Sequence, residues 1–195
     1  MKKITKGEQL HADAFLNQHF SRLKDWSIGD IRKSSGLNNS GKFIGNGAYI
    51  GASILWICAI DFFGGLFTGC YGQKETNRRI KTFVQKYLNN YGHYNPDKLC
   101  GLRWSLVHFY TVRHYTLDES QETRLYHLKK IKNRDCLLHL GRMIEDLEMA
   151  VADYTRDLRS KPELRIRAYR YFGKTYPLMI IDTNKLEFLD EDCDS

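Results

Sequence analysis

The chain contains no C-x-x-C pair. Its five cysteines, Cys58, Cys70, Cys100, Cys136 and Cys193, are scattered along 195 residues. That scatter excludes a disulfide framework and a zinc ribbon, and reads as reduced thiols in a cytoplasmic protein. The seven histidines do not pair at i, i+4, and no Cys–His spacing fits zinc, so no metal site is expected. There is no P-loop, no G-x-S-x-G elbow and no cysteine in a nucleophile setting. Gly45-Asn46-Gly47-Ala48-Tyr49-Ile50-Gly51 misses the dinucleotide fingerprint by one residue and lies in no βαβ frame, so no cofactor is expected. The basic start, Met1-Lys2-Lys3-Ile4-Thr5-Lys6-Gly7, runs into Glu8 and Gln9 rather than an apolar core, and no secretory signal is read there.

A clean membrane span is also missing. Between Phe43 and Gln73 the only charge is Asp61, but the stretch carries seven glycines. A spanning helix needs about 20 apolar residues. An acid at its middle costs about 2.5–3.5 kcal/mol even on a lenient insertion scale. The segment therefore reads as a buried central helix and not as a membrane anchor.

What is present fits one soluble domain, with a core over about residues 8–175. Apolar residues make up 42% and charged residues 27%, which excludes wholesale disorder. The net charge of +7 favours an acidic partner, and nucleic acid is the commonest kind.

Helical periodicity predicts a first helix over 8–26, on the stripe Leu10, Ala14, Phe15, Phe20 and Leu23. Residues 27–47 hold five glycines and read as a long loop. The apolar helix should run over 48–63 and stop at Gly64-Gly65. A third helix over 76–91 turns Ile80, Phe83, Val84, Tyr87 and Leu88 inward and Arg78, Arg79, Lys81 and Lys86 outward. Asn95 caps the next helix and Pro96 opens it. Loose alternation over 114–128 suggests a β-hairpin, and a second is expected over 176–189. Helices return over 141–158 and from Pro162, and the acidic end 190–195 reads as loose. The expected fold is mainly α: a single up-and-down bundle of about five helices with one or two small hairpins.

The chemistry concentrates in Arg103-Trp104-Ser105-Leu106-Val107-His108. A guanidinium clamps a phosphate through two parallel hydrogen bonds and keeps its charge. An imidazole exchanges a proton near neutral pH. On an ideal helix residues five apart lie about 140° around the axis, so the two converge only through a kink, a helix end or a second copy. The bland alternative is a surface arginine and a satisfied helical histidine.

The spacing resembles the R-x4-6-H signature of the HEPN superfamily, small helical proteins that include many metal-independent ribonuclease toxins. The resemblance implies a bundle in which two motifs meet across a two-fold axis. It further implies that Arg103 holds the scissile phosphate, while His108 is acid or base as the RNA 2′-hydroxyl attacks. It also implies a role in a toxin–antitoxin or anti-phage system, a homodimer, and an antitoxin or other regulatory partner. Trp104 departs from the family, whose catalytic members usually carry a polar residue there; it marks either a divergent branch or a ring that stacks on a base.

Two further features bear on this reading. Asp61, in an apolar helix, needs a cation or water; Arg103 is the candidate cation, and a helix-end position reaching solvent is the alternative. The stretch from Arg165 to Tyr176 interleaves Arg165, Arg167, Arg170 and Lys174 with Tyr169, Tyr171 and Phe172. Such a face suits single-stranded RNA, and a solvated amphipathic helix with its tyrosines inward explains the same letters. Besides the nuclease, the sequence leaves open a non-catalytic RNA- or nucleotide-binding module and a protein-interaction scaffold.

Overall fold

The computed structural model describes residues 5–38 and 47–175. The second expected hairpin and the acidic end lie outside those residues. Helix α1 (Lys6–Phe15) starts at a reciprocal cap, in which Thr5 Oγ1 accepts the Glu8 N–H and the Glu8 carboxylate accepts the Thr5 N–H. It continues without a break through a π-helical turn, Leu16–Phe20, into α2 (Ser21–Ser35). Residues 27–35 are thus helical, not loop. Burial of Ile31 and a bidentate ion pair from Arg32 to Glu148 outweigh the weak helix propensity of the Gly/Ser-rich letters. Helix α2 ends at Gly36, which lies in the left-handed region.

Helix α3 (Tyr49–Thr68) runs past the expected stop at Gly64-Gly65 and ends at left-handed Gly69. The paired glycines are sites of close approach. A Cβ on Gly64 would lie 2.4 Å from the Arg79 carbonyl oxygen, and one on Gly65 would lie 2.1 Å from the Tyr171 ring. Helix α4 (Thr76–Lys86) stops earlier than its periodicity suggests and passes into a 3-10 turn, Leu88–Asn90. Helix α5 (Pro96–Phe109) is capped as expected: Asn95 Oδ1 accepts the N–H groups of Asp97 and Lys98.

The expected first hairpin is replaced by a two-stranded parallel sheet, β1 (Tyr115–Asp118) beside β2 (Cys136–His139). Asp118 Oδ1 accepts the backbone N–H groups of Glu119 and Ser120, turning the chain into a 3-10 helix, Gln121–Tyr126, in place of a tight reversal. The chain then loops back and enters β2 in the same direction as β1. Helices α6 (Leu140–Ser160) and α7 (Pro162–Thr175) complete the described residues. The described residues are mainly helical, with seven α-helices among them where the sequence suggested about five.

Helix α3 is the spindle. It packs against α2, α4, α5, α6 and α7, with Trp56, Ile57, Ile60, Phe63 and Leu66 fully buried. The Trp56 indole N–H donates to the Met143 carbonyl at 2.7 Å, satisfying the one polar atom that burial would strand. Among the described residues α3 alone is long and apolar enough to cross a membrane, and just over half of it is buried in this core.

Candidate functional site

Helix α5 buries Leu99, Leu102 and Leu106 and turns Trp104, Val107 and His108 outward. Arg103 lies at the boundary. Its guanidinium points to α3, with Nη2 3.6 Å from Asp61 Oδ2, and its Nε is buried without a hydrogen-bond partner. The pairing of Asp61 with Arg103 is therefore present, but it is the lesser of two. Arg79, expected to face solvent, is buried and grips the same carboxylate through Nε–Oδ1 at 2.6 Å and Nη2–Oδ2 at 3.1 Å. It also donates to Thr76 Oγ1 and the Gly72 carbonyl. Burial works against the Arg79 charge, but the Asp61 hydrogen bonds and charge outweigh it and hold the guanidinium protonated. Two guanidiniums share one carboxylate, so the cluster carries a net positive charge.

His108 is exposed, its ring 6.0 Å from that of Trp104 and 6.4 Å from that of Phe109. Trp104 is half exposed, and Phe109 and Tyr110 beyond it are also open to solvent. Helix α5 is regular over the motif, so Arg103 faces α3 while His108 sits among the outward aromatics. One copy of the chain does not bring the pair together. Cys58 and Cys100 lie within reach of the Arg103 charge. Desolvation raises the pKa of both thiols despite its pull, so neither is a ready thiolate.

The basic helix α7 spends much of its charge internally. Arg165 pairs with Asp13 and donates to the Leu158 and Arg159 carbonyls at the end of α6. Arg167 donates to the Phe67 carbonyl, and Arg170 pairs with Glu8 at 2.8 Å. Tyr171 is buried against Gly65, and Lys174 sits 4.2 Å above the Tyr71 ring. These side chains clamp α1, α3 and α6 to one another.

A second cluster escaped the sequence reading. Asp146, on α6, is 1% exposed and takes hydrogen bonds from the Tyr94 hydroxyl to Oδ2 at 2.9 Å and from Arg142 Nη2 to Oδ1 at 3.2 Å. His127 Nε2 lies 3.0 Å from the Tyr94 hydroxyl and 3.5 Å from Asp146 Oδ2. Its Nδ1 accepts the His139 backbone N–H, which assigns the proton to Nε2. Burial and the neighbouring Asp146 push the Tyr94 phenol well above its usual range, so it donates as a neutral hydroxyl. The available signal was the one that marked Asp61: an acid on an apolar helical stripe, here among Met143, Leu147 and Ala150.

Among the described residues no group of three or more His, Cys, Asp or Glu side chains is placed to hold a metal ion. Comparison of the chain with protein-family models, with curated proteins and with solved structures finds no match in any of the three.

Proposed function

We propose that the chain is a metal-independent endoribonuclease of the HEPN type, acting as a homodimer. The observation that carries this reading is the state of Arg103: a half-buried guanidinium steadied by a carboxylate that Arg79 already neutralises. Such a cation is fixed in position and still has charge to offer a phosphate. His108 stands about one and a half helical turns further along the same helix, open to solvent and able to exchange a proton.

Because the two side chains diverge on one helix, the working pair is Arg103 of one copy and His108 of the other. The exposed rings of Trp104 and Phe109 and the Val107 side chain would be covered by that pairing. In the reaction His108 takes the proton of the RNA 2′-hydroxyl and the 2′-oxygen bonds to phosphorus. The bond from phosphorus to the 5′-oxygen breaks, and that oxygen leaves with a proton from an imidazolium or water. The products are a 2′,3′-cyclic phosphate and a 5′-hydroxyl end. A nuclease of this kind needs a restraining partner in the cytoplasm, as in a toxin–antitoxin or anti-phage system.

The test is cleavage of single-stranded RNA in EDTA. Arg103→Ala and His108→Ala should each lower the rate by about 10²-fold or more while leaving the circular dichroism spectrum unchanged. Equal degradation by both variants and the parent disproves the assignment. One observation favours a second reading, a non-catalytic RNA-binding module: Trp104, Phe109 and Tyr110 form an open aromatic surface on which bases can stack. RNA affinity that falls steeply with salt, with no turnover, would establish it instead.

A further inference from the structure

A cleft of about 400 Å³ opens beside His127 of the Tyr94–His127–Asp146 cluster and shares no residue with the Arg103–His108 motif. Arg124, Lys129 and Arg142 line it, together with Tyr91, Leu125 and Leu128. We propose that this cleft binds a mononucleotide, its phosphate held by Arg124, Lys129 and Arg142 and its base lying against Leu125, Leu128 and Tyr91.

The two arginines are set in advance. Arg124 Nη2 lies 2.5 Å from Glu145 Oε1, and Arg142 Nη1 lies 3.2 Å from Glu145 Oε2. Arg142 also reaches Asp146. Both acids stand beneath the cations and neither lines the cleft, so they fix the guanidinium forks and leave other N–H groups for a ligand. Three cations against two acids leave a positive lining, and Lys129 is exposed with its charge free to move. A phosphate is attracted by that positive lining, and its oxygens can accept the guanidinium and ammonium N–H groups left free.

The floor is built to be rigid. Leu128 takes a left-handed φ of 62°, unusual for a bulky side chain. Its N–H donates to the Leu137 carbonyl at 2.7 Å, and the Leu137 N–H returns to the Lys129 carbonyl at 2.9 Å. Those bonds hold the strained residue and fix His127 and Lys129 on either side of it. A bulky residue held in that region shows that the surrounding bonds fix the backbone here. Gly92 meets the same floor: a Cβ there would fall 2.9 Å from Asp146 Oδ2 and 2.6 Å from the Tyr94 ring. His127 has both ring nitrogens engaged, so it positions the floor and does no chemistry.

Two features argue for a nucleotide over a bare anion. The volume lies within the range of small-molecule pockets and exceeds what one phosphate fills. Leu125, 86% exposed, also stands as an uncovered apolar side chain on the rim, where a ring can lie.

Isothermal titration calorimetry with AMP, GMP, CMP and UMP, their nucleosides and inorganic phosphate tests the assignment. At least one mononucleotide should bind, its nucleoside should not, and added salt should weaken the complex. Lys129→Ala and Arg124→Gln should each weaken binding about tenfold or more, while Lys33→Ala, a surface change on α2, should not. Thermal melting separates loss of ligand from loss of fold, and exposed Lys129 has no packing role to confound it. No binding by any mononucleotide at millimolar concentration would overturn the proposal. So would equal binding by nucleoside or by inorganic phosphate, or unchanged affinity in both cleft variants.

Discussion

Asp61 shows how a single residue can be readable in a sequence while its partner is not. A carboxylate in an apolar helix demands a cation, and that demand is visible in the letters. The cation that chiefly answers it, Arg79, looks like one of four outward charges on an amphipathic helix. Its position on that helix held the clue: Arg79 lies three residues after Thr76 and four before Phe83, both buried. Removing one member should leave the other charged and unsatisfied. Asp61→Asn is expected to cost about 3 kcal/mol in urea unfolding. The paired change Asp61→Leu with Arg79→Met should recover much of that loss, because the penalty is the orphaned charge rather than the missing bridge. His139 makes the complementary case. It is buried, its Nδ1 accepts the Arg142 N–H at the start of α6, and its Nε2 faces the Ser120 carbonyl. Burial lowers its pKa, with the Arg124 charge acting in the same direction and the Ser120 carbonyl opposing them. The unfolded chain therefore takes up the proton first. Stability is full above the unfolded value of about 6.5, falls as the pH drops through it, and levels off below the folded value. Comparing melts at about pH 7.5 and about pH 5.5, His139→Gln should lose less stability than the parent.

At the scale of helices, glycine carries opposite meanings that spacing alone does not separate. Gly29 sits inside α2 with nothing near the place a Cβ would occupy, whereas the same atom on Gly64 would strike the α4 backbone. Gly29→Ala should stabilise the chain by up to about 1 kcal/mol through helix propensity. Gly64→Ala should destabilise it by about 2 kcal/mol, because the obstacle is backbone and cannot swing aside. Chemical denaturation of the two variants checks both signs, and a shared sign would refute the close-packing account of α3. A five-residue interval is equally ambiguous. Phe15 and Phe20 are both buried because a π turn brings them to one side of the rod. Arg103 and His108 have the same interval on a regular helix and diverge. Periodicity placed most of the helices, but it gave no warning of the π turn, of the helical run over 27–35, or of parallel strands where a hairpin was expected. The helical run rests on the pairing of Arg32 with Glu148, far away in the chain, and the parallel strands on the turn that Asp118 makes with Glu119 and Ser120, and alternation shows neither.

For the molecule as a whole, the decisive question is whether the working site is shared between copies. If it is, an Arg103→Ala chain and a His108→Ala chain, each inert alone, should regain activity on mixing. Half of the exchanged dimers would be mixed and each would hold one intact site of two, so about one quarter of the parental rate should return. No recovery under conditions where subunits exchange would place both groups in a single copy and end the shared-site reading. The motif was legible because it is contiguous. The cleft lined by Arg124, Lys129 and Arg142 was not, because its residues come from three segments, 91–93, 124–129 and Arg142, with no common spacing.

The burial of α3 also sets an order of events during synthesis. Its last side chains to be covered are those beneath α7, and Tyr171 is made about a hundred residues after Gly65 leaves the peptidyl transferase centre. At ordinary elongation rates of about 5–20 residues per second, that leaves roughly 5–20 seconds in which a segment apolar enough for a bilayer is incompletely shielded. The chain thus relies on Asp61, and on the arginine from α4 that reaches it early, to keep its most insertion-prone stretch committed to water until the rest arrives.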